Sequence, residues 1–472
     1  MSDPVIRDAS SAAHPVDSIA QPADPNTRAP ADFEVPDHGK TEVGSVFVSN
    51  YPPFSFWSPD QNENYLDAVG QPARPDAPLG LYMHIPFCRK RCKFCYFRVY
   101  VDRNAEQIQR YLDALAREVE HYAAQPVTQN RPLDFVYFGG GTPSYIAAKH
   151  LRALVDRVKA VMPWDRAKEV TFECEPGTLT ATKVETIRDI GVTRISLGIE
   201  NWDPEILEIN GRAHRTEEIH RCLPWIRAQD FPQLNVDLIA GLVGETWDNW
   251  RETVDRTLEI EPDSLTIYQM ELPFNTVFSR GILRDDEDAP QVADWALKRE
   301  WHDYAIETFT QAGYIVSSGY TLLKPGKDAS AFRYRDALWH GADLLGTGIA
   351  SFGHVSGVHG QNLSGWDPYL SAVEAGELPL NRAYALGDDE KLTRELILQL
   401  KLGRVDLAAL GAKFDVDVAA RYATVFDAFA AQDLMHVVDD GRAVALTRAG
   451  LLQVDMLLPS FYAERHQNAR YT

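Results

Sequence analysis

Short apolar runs rich in β-branched and aromatic residues recur along the centre of the chain, and segments of helical length separate them. A run of this kind is typical of a buried strand, and its alternation with helical patterns predicts parallel β/α units. The six runs lie at 81–85, 134–138, 169–172, 194–197, 234–239 and 264–268. Six units predict an α/β fold, a partial (β/α)6 barrel whose loops after the strands gather at one rim.

The C-terminal part of the chain has a different pattern. Helical apolar spacing fills residues 388–402, 408–414 and 416–430, and residues 436–447 have the pattern of a hairpin that turns at Asp440-Gly441. Helices followed by a hairpin predict a winged-helix-like domain over 381–472. Winged helices often bind DNA, but this segment is not basic, so we expect an accessory domain that packs against the barrel.

The N-terminal part lacks both patterns. Residues 1–45 are rich in Ala, Pro, Asp and Ser, with Phe33 as the only aromatic residue, so we expect a disordered tail. Residues 46–80 begin with a strongly aromatic segment and predict a strap, either in a surface groove or over the mouth of the barrel. The barrel domain with its C-terminal extension then spans 81–380.

The charge of the chain limits its partners. There are 47 basic and 68 acidic residues, a net charge of -21, which argues against nucleic acid or an anionic membrane as the main partner. No run approaches the roughly 20 apolar residues of a membrane helix. The N-terminus has no basic region followed by an apolar stretch, so we expect no secretory signal and a cytoplasmic protein. Few cysteines, three of them clustered, fit a reducing compartment.

Three of the five cysteines lie within eight residues, directly after the first predicted strand. Cys88, Cys92 and Cys95 are odd in number, and nothing pairs them naturally with Cys174 or Cys222, so a disulfide is not expected. Three thiolates in a tight loop can hold three irons of a cubane cluster and leave the fourth iron open to a small molecule. Zinc or unligated thiols are the alternatives, although zinc lacks a fourth ligand at short spacing.

The loops after the second and third strands carry further candidates. The run Gly139-Gly140-Gly141-Thr142 would let backbone amides approach a ligand closely, although a glycine run alone is weak support for a site. Glu173 ends the third strand, where it could accept a hydrogen bond from a ribose hydroxyl or an ammonium group. The alternative for Glu173 is a solvated carboxylate at a strand end.

Several motifs occur in a fixed order along the chain. They are His84 to Cys88 (HIPFC) with the cysteine loop, Phe138 to Ser144 (FGGGTPS), Ile195 to Glu200, Asn210 to His214 and Asn235 to Leu242. The CxxxCxxC spacing at a strand-to-loop junction resembles that of radical S-adenosylmethionine (SAM) enzymes. The whole set, over about residues 46–460, resembles the family of oxygen-independent coproporphyrinogen III oxidases and related heme chaperones.

The resemblance implies a [4Fe-4S] cluster on Cys88, Cys92 and Cys95, and one or two molecules of SAM. In that chemistry the open iron chelates the methionine amine and carboxylate, and one electron from the cluster splits the sulfonium. No individual catalytic residue is implied. Eight residues match or neighbour the SAM sites: Tyr82, Gly140, Gly141, Thr142, Glu173, Glu200, Arg212 and Asp237.

Three positions depart from the family pattern. Phe97 stands where the decarboxylating oxidase usually has a fourth cysteine, and Glu200 stands where a glutamine is expected. Tyr334 replaces the histidine of the heme motif of the chaperone branch. Tyrosinate can ligate ferric heme, but we expect Tyr334 to be a packing residue.

The leading hypothesis is therefore hydrogen abstraction from a small organic substrate, a tetrapyrrole side chain, by a 5'-deoxyadenosyl radical. The specific reaction that we expect is the oxidative decarboxylation of coproporphyrinogen III. Methyl or methylene transfer from a second SAM and heme carriage are the alternatives, because one fold hosts many functions. Segments 268–273 and 346–352 should line the substrate pocket.

A group of cations surrounds the cysteines in this otherwise acidic chain. Its five members are Arg89, Lys90, Arg91, Lys93 and Arg98. They either balance the charge of a sulfur-rich cluster or form a docking patch for an acidic electron donor such as flavodoxin or ferredoxin.

Overall fold

The computed structural model describes residues 39–75, 77–129, 131–284, 290–326 and 332–467. Residues 1–38 of the tail predicted for 1–45 therefore lie outside the described residues. Residues 39–45 run along the barrel domain, where the Gly44 amide donates to the Leu272 carbonyl over 2.8 Å and the Thr41 hydroxyl to the Ala293 carbonyl over 2.7 Å.

Each of the six apolar runs forms a strand, and the six strands lie side by side, all parallel, in chain order. At least one helix separates each strand from the next, so the predicted partial (β/α)6 barrel is confirmed. The strands are β1 Leu79–Ile85, β2 Leu133–Gly140, β3 Glu169–Cys174, β4 Arg194–Glu200, β5 Gln233–Ala240 and β6 Ser264–Gln269. The helices up to β6 are α1 Asn62–Gly70, α2 Ala105–Ala123, α3 Ala148–Val161, α4 Ala181–Asp189, α5 Pro204–Ile209, α6 Thr216–Ala228 and α7 Trp247–Glu259.

Both edges of this sheet are extended by later strands. A parallel strand pairs with β1, and three antiparallel strands follow it, while β6 continues into a short antiparallel pair. These strands are β7 Ile315–Val316, β8 Thr321–Leu323, β9 Asp343–Thr347, β10 Phe352–Val355, β11 Val358–Asn362 and β12 Leu380–Ala385, and their helices are α8 Val277–Leu283, α9 Trp295–Gln311, α10 Arg333–Trp339 and α11 Trp366–Glu374. The extension lengthens the wall of the barrel beyond the six predicted units.

Local sequence explains where the helices begin. In α2 the Asn104 side chain accepts from the Gln107 amide and the Gln107 side chain accepts from the Asn104 amide, which is a capping box. The helix buries Leu112, Leu115 and Val119 against the sheet, at the spacing expected of one helical face.

The C-terminal domain contains a three-stranded antiparallel sheet flanked by helices, so the predicted accessory domain is present. The segment 416–430 forms two helices rather than one, because Tyr422 leaves the helical conformation (φ -112°, ψ 16°). Asp440 and Gly441 adopt positive φ in the predicted turn. The elements are α12 Asp388–Leu400, β13 Arg404–Asp406, α13 Leu407–Phe414, α14 Val418–Arg421, α15 Ala423–Ala431, β14 Met435–Val438, β15 Ala443–Leu446, α16 Arg448–Leu452 and α17 Val454–Leu457.

The aromatic segment after residue 46 contacts both domains. Trp57 stacks on His359 of β11 with ring centroids 4.8 Å apart, and Tyr51 packs against Tyr462 with centroids 4.7 Å apart. Phe47 lies on the wall of the central cavity described below. Among the described residues, none of the helices has both the length and the apolar character needed to cross a bilayer.

Candidate functional site

The loops after the parallel strands surround a cavity of about 1140 Å³. Its wall includes Cys88, Cys92 and Cys95 and all eight residues predicted for the SAM sites, so the structure brings the whole predicted set together. Of the two predicted pocket segments, Tyr268 to Glu271 and Pro273 line the cavity, whereas only 350–352 of the second segment do so.

The cysteine loop follows β1 and is closed by its own backbone. The Cys88 amide donates to the Tyr100 carbonyl over 3.1 Å, and the Tyr100 amide donates to the Pro86 carbonyl over 2.7 Å. The Cys95 amide donates to the Cys92 carbonyl over 3.2 Å. The three thiols are half-buried and form no disulfide. The loop is therefore a preformed turn that presents three sulfur atoms to the cavity.

Two side chains from other loops reach these sulfur atoms. The Thr142 hydroxyl donates to Cys88 Sγ over 3.3 Å, and Arg212 Nη1 donates to Cys92 Sγ over 3.4 Å. Hydrogen bonds from a hydroxyl and a guanidinium favour the thiolate form of a cysteine and tune a metal centre without binding the metal themselves.

The donor set fits a [4Fe-4S] cluster. Burial raises the pKa of the Cys88 thiol to about 11 and that of Cys95 to about 12, so a bound cation is needed to keep both as thiolates at neutral pH. Among the described residues no three Cys, His, Asp or Glu side chains converge on a single metal ion. A cubane cluster does not need such convergence, because each thiolate binds a different iron.

The glycine run lies against this loop. Gly140 has φ +112°, and a Cβ there would come within 2.5 Å of the His84 ring. A Cβ on Gly141 would lie 3.0 Å from Cys88 Sγ and 2.9 Å from the Ile85 carbonyl oxygen. Glycine is required here because β2 passes directly beside the cysteine loop, a constraint independent of any ligand.

Two predicted carboxyl groups at the strand ends are already hydrogen-bonded. Glu173 accepts from the Tyr137 hydroxyl over 2.7 Å and from the Gly140 amide over 3.2 Å, and burial raises its pKa to about 7. Asp237 accepts from Ser196 Oγ over 2.8 Å and from Asn235 Nδ2 over 2.9 Å, and burial raises its pKa as well.

Glu200 is balanced by a neighbouring arginine. Its carboxylate lies 3.2 Å from Arg212 Nη2, and the same nitrogen donates to the Gly198 carbonyl over 2.8 Å. Burial raises the pKa of Glu200 to about 7 in spite of this cation. The pair explains how the cavity holds a carboxyl group at a position where a neutral glutamine was expected.

The other two departures also lie on the cavity wall. Tyr334 packs its ring on Tyr137 with centroids 4.3 Å apart and on Phe135 with centroids 5.6 Å apart, as expected of a packing residue. Phe97 stacks on Tyr96 with centroids 4.5 Å apart, and both side chains are 44% exposed.

The cations near the cysteines have different roles. Arg89 pairs with Glu175 over 2.8 Å and Glu218 over 3.2 Å, and Arg91 donates to the Cys95 carbonyl over 3.2 Å. Lys90 and Arg98 are exposed and make no ion pair with the described residues.

Sequence reasoning missed three arginines of the cavity wall, Arg194, Arg382 and Arg394. Arg194 heads the otherwise apolar strand β4, which was a visible signal. The other two lie in β12 and α12, and nothing in their local sequence distinguishes them from surface residues.

Comparison with known proteins agrees with this geometry. A family model of the radical SAM superfamily matches residues 82–257, and one of the HemN C-terminal domain matches residues 386–452. Oxygen-independent coproporphyrinogen III oxidase of Escherichia coli is 28% identical over 436 residues, 89% of this chain and 93% of the relative. Heme chaperone HemW of Mycobacterium tuberculosis is 29% identical over 350 residues, 74% of this chain and 88% of the relative.

A solved structure matches over nearly the same span. Coproporphyrinogen III oxidase (HemN) from Escherichia coli superposes with a TM-score of 0.77 at 25% identity, covering 89% of this chain and 99% of that chain. Membership of this superfamily implies a [4Fe-4S] cluster and SAM. Residues 82–257 match the radical SAM superfamily, residues 386–452 match the HemN C-terminal domain, and the chain is similar over most of its length to oxygen-independent coproporphyrinogen III oxidases and to the heme chaperone HemW.

Proposed function

We propose that this chain is a radical SAM enzyme that acts on a tetrapyrrole, and that its reaction is the oxidative decarboxylation of coproporphyrinogen III. The observation that carries the proposal is the cavity of about 1140 Å³ with the cysteine loop on its wall. Small-molecule sites usually enclose about 300–1,000 Å³, so this cavity has room for a tetrapyrrole beside SAM.

Cys88, Cys92 and Cys95 would hold the cluster, and the eight predicted residues would bind one or two molecules of SAM. When bound, these groups supply reductive cleavage of the sulfonium and a carbon radical that can take hydrogen from an unactivated carbon. The chain itself orients the sulfur atoms through Thr142 and Arg212.

The aromatic wall supports a substrate with several apolar rings. Tyr82, Tyr137 and Tyr334 lie in mutual ring contact on one side of the cavity, and Phe352 stacks on Phe54 with centroids 4.5 Å apart on the extended edge of the sheet. Aromatic faces of this kind pack against individual pyrrole rings and exclude water from the reacting carbon.

A second candidate is methyl transfer from a second SAM within the same cavity. Phe97 favours it, because the decarboxylating oxidase resembled here usually has a cysteine at that position. A radical transferase would use the same cysteine loop but would transfer a methyl carbon to its substrate.

One experiment separates these outcomes. Reconstituted protein is incubated without oxygen with a reductant, coproporphyrinogen III and SAM carrying a deuterated methyl group, and the tetrapyrroles are analysed by mass spectrometry. Loss of carbon dioxide from the substrate supports the proposal, and gain of a labelled methyl group supports the second candidate. An unchanged tetrapyrrole together with tight heme binding would instead indicate a heme carrier.

A further inference from the structure

We infer that Arg194, Arg382 and Arg394 recognise carboxylate groups of the substrate at three separate places on the cavity wall. The inference rests on the proposed function, because it names the feature of a tetrapyrrole that these residues would bind. All three line the cavity, and among the described residues none lies within 4.0 Å of a carboxylate oxygen in an ion pair.

Arg382 and Arg394 are held in place by neutral acceptors only. Arg382 Nε donates to the Gln361 side-chain oxygen over 2.6 Å, and its Nη1 donates to the Phe54 carbonyl over 2.9 Å. Arg394 Nε donates to the Asn50 side-chain oxygen over 2.8 Å. Burial lowers the pKa of Arg394 to about 10, so the guanidinium keeps its charge at neutral pH. Each group is oriented by the protein, but its charge is not neutralised.

Arg194 is the most unusual of the three. Its side chain is only 1% exposed, its Nε and Nη1 atoms have no hydrogen-bond partner, and its guanidinium carbon lies over the Phe332 ring, 4.0 Å from the ring centroid. Burying guanidinium N–H groups without hydrogen-bond acceptors is costly, so such a residue is retained where a ligand completes its environment. Burial raises the pKa of the nearby carboxyl groups of Glu169, Glu173 and Asp237, and the charge of Arg194 lowers it, but these groups accept hydrogen bonds from other residues and no ion pair joins them to Arg194 among the described residues.

The contrast with other arginines of the same wall is informative. Arg212 pairs with Glu200, and Arg89 pairs with Glu175. Acidic residues outnumber basic residues by 68 to 47 in this chain, so carboxylate partners are not scarce. Three cavity arginines without them are therefore a local feature of the pocket.

Their placement fits a ligand that carries several carboxylates around its edge. Arg194 begins β4 and Arg382 lies in β12, and these strands are seven positions apart in the order of the sheet that surrounds the cavity. Arg394 lies on α12 of the C-terminal domain. Guanidinium groups on three different elements bind a polycarboxylate tetrapyrrole better than a ligand with a single anionic group.

The test compares two probes with the same macrocycle, the tetracarboxylate coproporphyrin III and its uncharged tetramethyl ester. Fluorescence titration of the reconstituted protein with Arg194→Gln, Arg382→Gln or Arg394→Gln should show coproporphyrin III binding about tenfold or more weaker than wild type, as expected for a lost charge-assisted hydrogen bond. Ester binding, SAM affinity and iron content should not change. The control is Arg110→Gln, an exposed arginine paired with Glu374 outside the cavity.

Wild-type affinity for coproporphyrin III in all three variants would overturn the inference. If Arg194→Gln does not fold, the half-buried Arg382 and its variant decide the question. Failure of the wild type itself to bind coproporphyrin III would refute the proposed tetrapyrrole substrate instead. The inference is then tested by thermal unfolding of Arg194→Met. An unchanged or raised midpoint supports the inference, because Arg194 then does not stabilise the fold. A lowered midpoint shows that the role of Arg194 is structural.

Discussion

Arg212 and Cys92 are in direct contact, since the guanidinium Nη1 donates to the cysteine Sγ over 3.4 Å while Nη2 lies 3.2 Å from the Glu200 carboxylate. One side chain thus connects the cysteine loop after β1 with the loop after β4. A fixed cation beside a sulfur ligand stabilises the thiolate and neutralises part of the negative charge of a cluster.

Removing any one cysteine of the loop should remove the metal. We expect Cys88→Ala, Cys92→Ala and Cys95→Ala to retain little iron after anaerobic reconstitution, because two thiolates do not hold a cubane securely. Iron content and visible absorption measure this. The controls are Cys174→Ala and Cys222→Ala, which change buried cysteines away from the loop and should keep full iron content. An intact cluster in the Cys92 variant would contradict the assignment.

Gly141→Ala should disturb the cysteine loop without removing any ligand. The added Cβ would lie 3.0 Å from Cys88 Sγ and 2.9 Å from a backbone oxygen, so the loop must move. We expect a loss of roughly 1–3 kcal/mol in the free energy of unfolding, as in other overpacked sites. Iron retention after gel filtration should also fall.

The matched control is Gly70→Ala, where a Cβ would meet nothing within 4 Å. Equal iron retention and equal stability in the two alanine variants would show that the structure accommodates a Cβ at position 141. Glycine would then not be required there by the close approach of the cysteine loop.

Much of the barrel could be predicted from sequence, because each buried parallel strand is a short apolar run. The predicted run 134–138 lies within Leu133–Gly140, and 264–268 lies within Ser264–Gln269. The extension β10–β11 was not predicted, because strands such as Phe352–Val355 and Val358–Asn362 mix glycine and histidine with apolar residues and have no clear period.

The cysteine loop and its neighbours could be predicted because a motif carries them in adjacent positions. Whether a charged side chain has an ion-pair partner or lies on the cavity wall could not be predicted, because both depend on residues distant in the chain. Arg89 belonged to the predicted basic group, yet Glu175 and Glu218 neutralise it. Arg394 looks like an ordinary helical surface residue in sequence, and only the packing of α12 against the barrel places it on the cavity wall.

The contacts between residues 45–47 and Glu271 should make stability depend on pH. This carboxyl accepts from the Ser45 hydroxyl and from the Val46 and Phe47 amides, and burial raises its pKa to about 7. The folded-state pKa exceeds the unfolded value near 4.3, so the favourable contribution is complete at low pH and is lost as pH rises toward and through 7. The loss amounts to about 4 kcal/mol at most.

We therefore expect Glu271→Gln to flatten the decline in the free energy of unfolding between about pH 5 and pH 8, measured by chemical denaturation. The exposed Glu377→Gln serves as a control and should retain the wild-type slope. A wild-type slope in the Glu271 variant would show that this carboxyl is ionised over the whole range.

Lys90 and Arg98 are the cations near the cysteines that remain exposed and without an ion pair among the described residues. We expect electron transfer from flavodoxin or ferredoxin to slow as salt rises, because exposed charges are screened over about 8–10 Å near physiological ionic strength. Reversing both to glutamate should slow transfer further, while a small chemical reductant should serve wild type and variant equally. The control Lys149→Glu reverses an exposed charge on α3. Equal rates and equal salt dependence in all three proteins would show that Lys90 and Arg98 only balance the charge of the cluster and do not bind the donor.

Release of 5'-deoxyadenosine shows directly whether the chain cleaves SAM. Reconstituted and reduced wild-type protein is mixed with SAM, with and without coproporphyrinogen III, and the nucleoside is quantified by liquid chromatography. We expect 5'-deoxyadenosine from the wild type, more of it when the tetrapyrrole is present, and none above background from Cys92→Ala. Release that is equal in the wild type and the Cys92 variant, or absent from both, would contradict this expectation.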